Sequence, residues 1–375
     1  MTVAANFSAG YAEARDKFRA AVKAAGSSVT SYANPATPPP DGVAQLIALP
    51  RYSEPEPLST DVAWFGPRDA RQLIYAQSGT HGVEGFCGSG IQVNWLQHGL
   101  QRELPADTAL LLAHAINPYG FAWQRRVNED NIDLNRNFVS HGGIYPSNAG
   151  YDLLRDAICP AEWNADARAA TGNKLAAYGR EYGAMALQAA ISSGQYNHAQ
   201  GLFYGGLSET WSNRTMVRLL RDHASHVGKL AFIDLHSGLG PYGVGEIMNN
   251  HAVGDAAFDR VAEWFGSEAT STEAGSSSSA PVHGDTTLGV ARAVPQAELT
   301  AITLEYGTVP LAEILDAVRA DNWLHVHGDL SSSQAREIKA QIRAAFYQDA
   351  ADWKQLVFER SVDVLRRTVA GLTQS

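Results

Sequence analysis

A histidine and a glutamate stand three positions apart in a glycine-rich stretch, Ser78-Gly-Thr-His81-Gly-Val-Glu84-Gly. A neutral imidazole and a carboxylate on one turn can bind the same zinc ion, and a catalytic zinc normally takes three protein ligands and keeps a fourth position open. Two residues at this spacing also arise often by chance. The stretch therefore predicts a metal site only if the chain supplies a third ligand and a general base elsewhere.

Two later apolar runs end in residues of the required types. The run Leu230-Ala-Phe-Ile-Asp-Leu-His236 stops at Ser-Gly, and the two-residue period of a strand puts Phe232, Asp234 and His236 on one face. The run Ala301-Ile-Thr-Leu-Glu305 ends in a carboxylate among apolar neighbours. A lone histidine at a strand end more often has a structural role, so only the combination of these residues predicts a catalytic centre.

A polar segment with three arginines, residues 117–138, follows a further strand-like run. The arginines are Arg125, Arg126 and Arg136, and the segment has neither a helical nor a strand period. A solvated surface loop with ion pairs would explain the same composition. Arginine also supplies a planar fork for carboxylates and a fixed positive charge for a developing oxyanion, and both are useful beside a hydrolytic metal.

These motifs, in this order, resemble the zinc carboxypeptidase family of the carboxypeptidase A type. The resemblance covers residues 70–310 and is carried by His81-x-x-Glu84, Asn117-Pro-Tyr-Gly-Phe, Arg126-Val-Asn128, Asp133-Leu-Asn-Arg-Asn-Phe138 and the strand ends at His236 and Glu305. It implies one Zn²⁺ bound by His81, Glu84 and His236. It also implies the following roles: general base and acid for Glu305, oxyanion stabilisation for Arg126, binding of a substrate carboxylate for Asn135 and Arg136, and orientation of the first histidine for Asp133.

The sequence departs from that family at two points. Position 83 is valine, where the digestive enzymes of the family have an arginine, and no tyrosine is clearly the one that closes over the substrate. Tyr242 and Tyr306 are candidates. His-Gly-Val-Glu-Gly is also similar to the related branch of succinylglutamate desuccinylase and aspartoacylase, whose members cleave N-acyl amino acids. The expected substrate is therefore a peptide or an N-acyl amino acid.

The composition is that of an acidic globular protein. The 375 residues are 45% hydrophobic, enough to bury a large core, and the net charge is −10. No basic patch stands out to neutralise phosphates, which argues against nucleic-acid binding. The N-terminal residues are charged where a leader would be apolar, and no run of about 18 apolar residues suggests a membrane span. With two cysteines, Cys87 and Cys159, a reduced cytoplasmic protein is expected.

The elements around the motifs predict an α/β fold. Helices are predicted over residues 11–25 and 86–98, and strands over 43–49, 62–65, 73–76, 108–116, 230–236 and 301–305. Strand, helix and strand in succession are typical of parallel sheets, whose active sites lie outside the carboxyl ends of the strands. We expect a central mixed, largely parallel β-sheet flanked by helices on both faces, zinc-carboxypeptidase-like by the resemblance.

We expect residues 1–375 to form a single zinc-hydrolase domain, with an N-terminal helix and connector over 1–42. An inserted, partly helical region over 139–229 would cap one side of the site. Helical runs are predicted there near 173–191 and 209–226, and the second of these would pack on the sheet. The serine-rich loop 271–280 is a candidate for a mobile lid.

Other histidines compete for the role of ligand. His325-Val-His327 would present both rings to one face on a strand, but it lies between predicted helices over 311–322 and 332–348, so a structural role is the better interpretation. His223 and His226, on the predicted helix 209–226, are expected to be surface or core residues.

Three classes of function remain. The first is zinc-dependent hydrolysis of an amide bond next to a free carboxylate, carboxypeptidase-like, with water activated by zinc and Glu305, or alternatively N-acyl amino acid deacylation. The second is an inactive relative that binds metal or ligand, and the third is a structural protein. The residues favour the first, because a binding-only relative needs neither Glu305 nor Arg126. The three ligands must then converge at zinc-bonding distances of about 2.0–2.2 Å.

Overall fold

One mixed sheet of eight strands runs through the computed structural model, which describes residues 2–40 and 57–374. In chain order the strands are β1 Val29–Ala33, β2 Ser59–Phe65, β3 Gln72–Ser78, β4 Thr108–His114, β5 Lys229–Tyr242, β6 Gly245–Asn249, β7 Ala269–Ser271 and β8 Glu298–Gly307. They lie in the order β1-β2-β4-β3-β5-β8-β6-β7. The central strands β4, β3, β5 and β8 are mutually parallel, whereas β2 pairs antiparallel with β1 and β4, and β6 with β8. The predicted mixed, largely parallel sheet is confirmed.

Helices cover both faces of the sheet, as predicted. Within the described residues they are α1 Tyr11–Ala24, α2 Gly85–Gln97, α3 Pro118–Ala122, α4 Ala149–Ile158, α5 Ala165–Tyr182, α6 Ala184–Ser192, α7 Trp211–Ala224, α8 Ala256–Phe265, α9 Thr286–Ala293, α10 Leu311–Val326, α11 Ser333–Phe346 and α12 Ala351–Gln374. Helices α1, α2, α8 and α12 pack on one face, and α7 and α9 on the other. Because side chains alternate along a strand, Ile74 and Ala76 enter the first core while Leu73 and Tyr75 enter the second.

Some predicted elements differ in their bounds. The arginine segment contains the short helix α3 and a 3₁₀ turn over Leu134–Arg136, and the helical run near 173–191 is two helices. The break falls at Gly183, whose φ of +95° is outside the range of a right-handed helix. The loop predicted over 271–280 begins in the last residue of β7. The strand predicted over 43–49 lies outside the described residues.

The parallel register brings the carboxyl ends of β3, β5 and β8 to one edge of the sheet. Ser78 lies beside Leu235, and His236 lies directly beside Glu305. A ligand or base that follows any of these strands therefore enters the same region of space. Within the two described ranges, every helix is too short or too polar to span a lipid bilayer.

Candidate metal centre

The His81 turn is built by close approach of two backbone segments. After β3 the chain turns through Gly79, at a φ of +65°, into a 3₁₀ turn over Gly82–Glu84. The amides of Gly82 and Val83 donate to the carbonyls of Arg126 and Arg125 at 3.1 and 2.8 Å. A Cβ on Gly82 would lie 2.0 Å from the Gly120 carbonyl carbon, so only glycine allows this contact. The glycines of the motif thus allow the His81 turn to pack directly against the backbone of the arginine segment.

The three predicted ligands meet at the carboxyl ends of β3 and β5. The Nδ1 atoms of His81 and His236 lie 2.8 Å from Oε1 and Oε2 of Glu84, respectively. The ligand atoms of all three residues lie within 4.8 Å of one another, and the three side chains are buried. Among the described residues this is the one such group of histidine, cysteine and carboxylate side chains. Two imidazoles and one carboxylate form a known ligand set for catalytic zinc, so the donors present fit that ion.

The charges in this group stabilise one another. Burial by itself would raise the pKa of Glu84, but the two imidazoles outweigh burial and lower it. Burial would likewise lower the pKa of His236, whereas Asp234 and Glu84 together raise it well above its ordinary value. The cluster therefore favours an ionised Glu84, the form in which a carboxylate binds a metal.

A carboxylate faces the outer nitrogen of each imidazole. Asp133 Oδ1 lies 3.1 Å from His81 Nε2, and Asp234 Oδ2 lies 3.0 Å from His236 Nε2. The structure thus places Asp133 beside the first histidine, and its orienting role stays a prediction. Sequence reasoning assigned no role to Asp234, although its position two residues before His236 already put both on one face of the strand.

Glu305 faces the same region from β8. Its Oε1 accepts a hydrogen bond from the Leu239 amide at 2.9 Å, and its side chain lines the cleft beside the histidines. Burial, reinforced by the negative charge of Glu84, raises the pKa of Glu305 to about 8. The carboxyl therefore lines the same cleft as the three ligands but is not one of the three that converge.

Arg126 contacts two of the three ligands, since its Nη2 also lies 2.8 Å from His81 Nε2. Its Nη1 donates to Glu84 Oε1 at 3.2 Å and its Nε donates to Asp133 Oδ2 at 2.9 Å. The guanidinium lies over the rings of Phe203 and Phe346, at 5.4 and 6.0 Å from their centroids. This contact with two aromatic faces, which the sequence did not reveal, holds a cation at the wall of the cleft.

Asn135 and Arg136 also line the cleft, but their polar groups are engaged by the protein. The Arg136 guanidinium donates through Nε and Nη2 to the Ser192 carbonyl and through Nη1 to the Asn135 carbonyl. Asn135 Oδ1 accepts from the Thr286 amide, and its Nδ2 lies 3.5 Å from His236 Nε2. The structure therefore brings both residues to the cleft, with Arg136 tied to the end of α6.

The cleft above these groups has a volume of about 520 Å³. Helix α6 from the 139–229 region and helix α10 provide apolar walls, together with residues on β6 and on the loop after β7; these apolar residues are Leu187, Ile191, Met248, Pro281, Val282, Ile314, Leu315 and Val318. Neither candidate tyrosine lines it. Tyr242 is exposed and donates to Asp352, whereas Tyr306 is buried in the core.

The competing histidines lie elsewhere. His325 is in the last turn of α10, where its Nε2 lies 2.8 Å from the Lys339 ammonium, and His327 follows the end of that helix. His223 and His226 pack beside the Trp64 ring.

Comparison with known families shows that residues 7–360 match the model described as "Protein of unknown function (DUF2817)". The chain belongs to this family. Comparison with curated proteins returns no match. Among solved structures it is similar to carboxypeptidase A from Helicoverpa armigera, at 12% identity over 90% of this chain and 73% of that one, with a TM-score of 0.43.

Two further solved structures are similar to this DUF2817 protein. Bovine thrombin-activatable fibrinolysis inhibitor matches at 11% identity over 90% of this chain and 96% of the other, with a TM-score of 0.44. Succinylglutamate desuccinylase from Chromobacterium violaceum matches at 12% identity over 78% and 75%, with a TM-score of 0.35. Similarities at this level assign neither a reaction nor a substrate to the chain.

Proposed function

We propose that this protein is a zinc-dependent hydrolase that cleaves an amide bond next to a free carboxylate, in the manner of a carboxypeptidase. The observation that carries the proposal is the convergence of His81, Glu84 and His236, with Glu305 on the neighbouring strand facing the same cleft. The proposal includes one Zn²⁺ per chain and one hydrolase domain, with the 139–229 region as its cap.

His81, Glu84 and His236 would hold the zinc ion. When bound, zinc polarises a carbonyl and makes water a stronger nucleophile at neutral pH. Asp133 Oδ1 and Arg126 Nη2, 3.1 and 2.8 Å from His81 Nε2, would together keep the ring in place with Nδ1 facing the metal.

Glu305 would act as the general base and then as the general acid. Its carboxylate would accept a proton from the attacking water and pass it to the leaving amine. The hydrogen bond from the Leu239 amide occupies Oε1 and fixes the carboxylate in the cleft. The second oxygen, Oε2, is the atom we assign to proton transfer.

Arg126 would stabilise the negative charge that develops on the carbonyl oxygen. Its guanidinium lies beside the ligand carboxylate of Glu84 and is held from behind by Asp133. A cation fixed in place before the reaction stabilises charge there without reorganisation. Asn135 and Arg136 would hold the free carboxylate of the substrate, with Arg136 exchanging part of its contact with the Ser192 carbonyl for the ligand.

N-acyl amino acid deacylation is the alternative within the same chemistry. The position of α6 favours it, because this helix ends against Arg136 and walls one side of the cleft, which suits a short substrate better than a long polypeptide. A relative that binds metal or ligand without turnover is the remaining alternative.

Metal analysis of the purified protein, followed by hydrolysis assays, tests the proposal. We expect one zinc per chain and release of amine from a panel of peptides and acyl amino acids with free carboxylates. Amidated or esterified forms of the same compounds are expected to be poor substrates, because they have no carboxylate for Asn135 and Arg136 to bind. The ratio of peptide to acyl amino acid turnover separates the two alternatives. Zinc binding without hydrolysis of any compound in the panel would favour the binding-only relative.

A further inference from the structure

Asp234 is a completely buried carboxylate in the central strand β5, two residues before His236. A charge in such a position is costly unless it is paired and hydrogen-bonded. Its ion pair, among the described residues, is the one with His236, and neither lysine nor arginine contributes to it. The proposed reaction assigns no role to this carboxylate.

Two threonine hydroxyls hold the carboxylate. Thr80, in the turn that carries His81, donates through Oγ1 to Asp234 Oδ1 at 2.7 Å, and Thr286, the first residue of α9, donates to Oδ2 at 2.7 Å. Both threonines are buried. Asp234 is thus fixed from two elements other than its own strand.

The hydrogen bond from Thr80 to Asp234 is the last of a series of hydrogen bonds, and this series determines which atom is its donor. The Tyr75 hydroxyl donates to Gln77 Oε1 at 2.7 Å, and Gln77 Nε2 donates to Thr80 Oγ1 at 2.8 Å. Because Thr80 accepts from Gln77, its own proton points to Asp234. Fully satisfied buried networks of this kind are rigid, so the position of Asp234 is determined before any ligand binds.

We infer that Asp234 is a positioning residue for the metal ligand His236. Its Oδ2 lies 3.0 Å from Nε2, and His236 Nδ1 faces Glu84. A carboxylate that accepts a hydrogen bond from the Nε2–H group fixes both the ring orientation and the tautomer in which Nδ1 presents its lone pair to a metal. The inference rests on the proposed metal centre and extends it: each histidine of the pair has its own orienting carboxylate.

A purely structural role makes a different prediction. If Asp234 served only to connect the His81 turn and α9 to β5, zinc affinity should fall by similar factors when the carboxylate is replaced and when one of its hydroxyl donors is removed. Thr286→Val removes one hydroxyl donor, keeps the shape of the side chain and leaves the contact between Asp234 and His236 in place. Asp234→Asn removes the negative charge that faces the imidazole.

Zinc affinity, measured by competition with a chelator, separates these roles. We expect Asp234→Asn to bind zinc about 10–100-fold more weakly than the wild type, the range for loss of a carboxylate behind a ligand histidine, and Thr286→Val to change affinity much less. Equal losses in both variants, or wild-type affinity in Asp234→Asn, would overturn the inference and leave the metal centre standing. A wild type that binds no zinc would overturn the inference together with the metal centre.

A measurement on the zinc-loaded wild type does not depend on the folding of a variant. Nuclear magnetic resonance of the ring nitrogens reports which nitrogen of His236 keeps its proton. We expect the proton on Nε2, protected from exchange by Asp234, and zinc on Nδ1. A proton on Nδ1 would show that the ring faces the other way and would overturn the role of Asp234.

Discussion

The metal-ligand cluster of His81, Glu84 and His236 is buried, and so is the cluster of Arg125, Asp321, His325 and Lys339 apart from His325, whose side chain is 10% exposed. Both clusters place an imidazole beside a carboxylate. In the second, here called the Lys339 cluster, the Lys339 ammonium is the central cation. It contacts the Asp321 carboxylate, the His325 Nε2 atom at 2.8 Å and the Gln124 carbonyl at 3.4 Å. The chain supplies its own positive charge at the point where the acceptors meet.

The metal-ligand cluster has a different arrangement. Both Nδ1 atoms turn to the two oxygens of Glu84, and each Nε2 atom faces its own buried aspartate. No lysine takes part in it within the described residues. The Arg126 guanidinium contacts Glu84 Oε1 and His81 Nε2, but the two Nδ1 atoms face only the Glu84 carboxylate. The difference teaches that histidine and carboxylate alone do not mark a metal site; what matters is whether a lysine ammonium already occupies the point where their ligand atoms meet.

The largest expected effect distinguishes the two clusters by their histidines. His81→Ala should lose both zinc and hydrolytic activity, because it removes one of three ligands. His325→Ala should keep one zinc per chain and its activity, since His325 serves the Lys339 cluster. Metal content by mass spectrometry and amide hydrolysis are the measurements. If His325→Ala lost zinc and His81→Ala kept it, the two clusters would have the opposite roles.

A smaller effect is expected where the metal should remain. Glu305→Gln should retain zinc, because Glu305 is proposed as base and not as ligand. It should lose about 10²–10⁴-fold in kcat, the usual contribution of general acid–base catalysis, because an amide cannot accept the proton of water. Steady-state kinetics on zinc-loaded protein is the check. Full activity with zinc bound would mean that another group is the base.

Two adjacent arginines provide the next test. Arg126→Ala should lower kcat by about 10²–10³-fold with little change in substrate binding, because an oxyanion exists only near the transition state. Arg125→Ala is the matched control, since Arg125 Nε pairs with Asp321 at 3.3 Å in the Lys339 cluster. It should reduce stability and leave the kcat of folded protein unchanged. Similar kcat values for the two variants would refute the assignment of Arg126.

The smallest effect on activity is expected at Lys339. Lys339→Met should lower the free energy of unfolding at pH 7 by about 3 kcal/mol, since breaking a buried ion pair strands its partner, Asp321. Zinc content and activity per folded molecule should not change. Chemical unfolding with a parallel metal analysis tests both statements; loss of zinc would show that the two clusters are coupled.

Lys339 should also make the free energy of unfolding depend on pH. Burial lowers the pKa of Lys339 from 10.5 to about 8. Between these values the unfolded chain holds a proton that the folded protein has released, so wild-type stability should rise with pH across that window. The wild type should therefore become more stable relative to Lys339→Met as the pH rises from 8 to 10.5. A constant difference between the two proteins would contradict the lowered pKa.

Much of the fold could be predicted from the sequence because its signals are local. The apolar runs that lead to His81, His236 and Glu305 are strands, and parallel strands necessarily share one carboxyl edge. The break at Gly183 was missed because the apolar residues before and after it continue a helical pattern, and only the backbone dihedral reveals the turn.

The sequence by itself determined the ligand types, their place at strand ends and the sheet class, because residue chemistry and two-residue periodicity are properties of short segments. Tertiary structure decided how neighbouring polar residues divide between the two clusters. Arg125 and Arg126 are adjacent, yet one pairs with Asp321 and the other with Glu84 and Asp133. Their segment has no regular period, so the direction of each side chain depends on distant elements that only folding brings together. For the same reason Asp234 could be placed on the face of His236 from the sequence, whereas the threonines that hold it came from the turn after β3 and from α9.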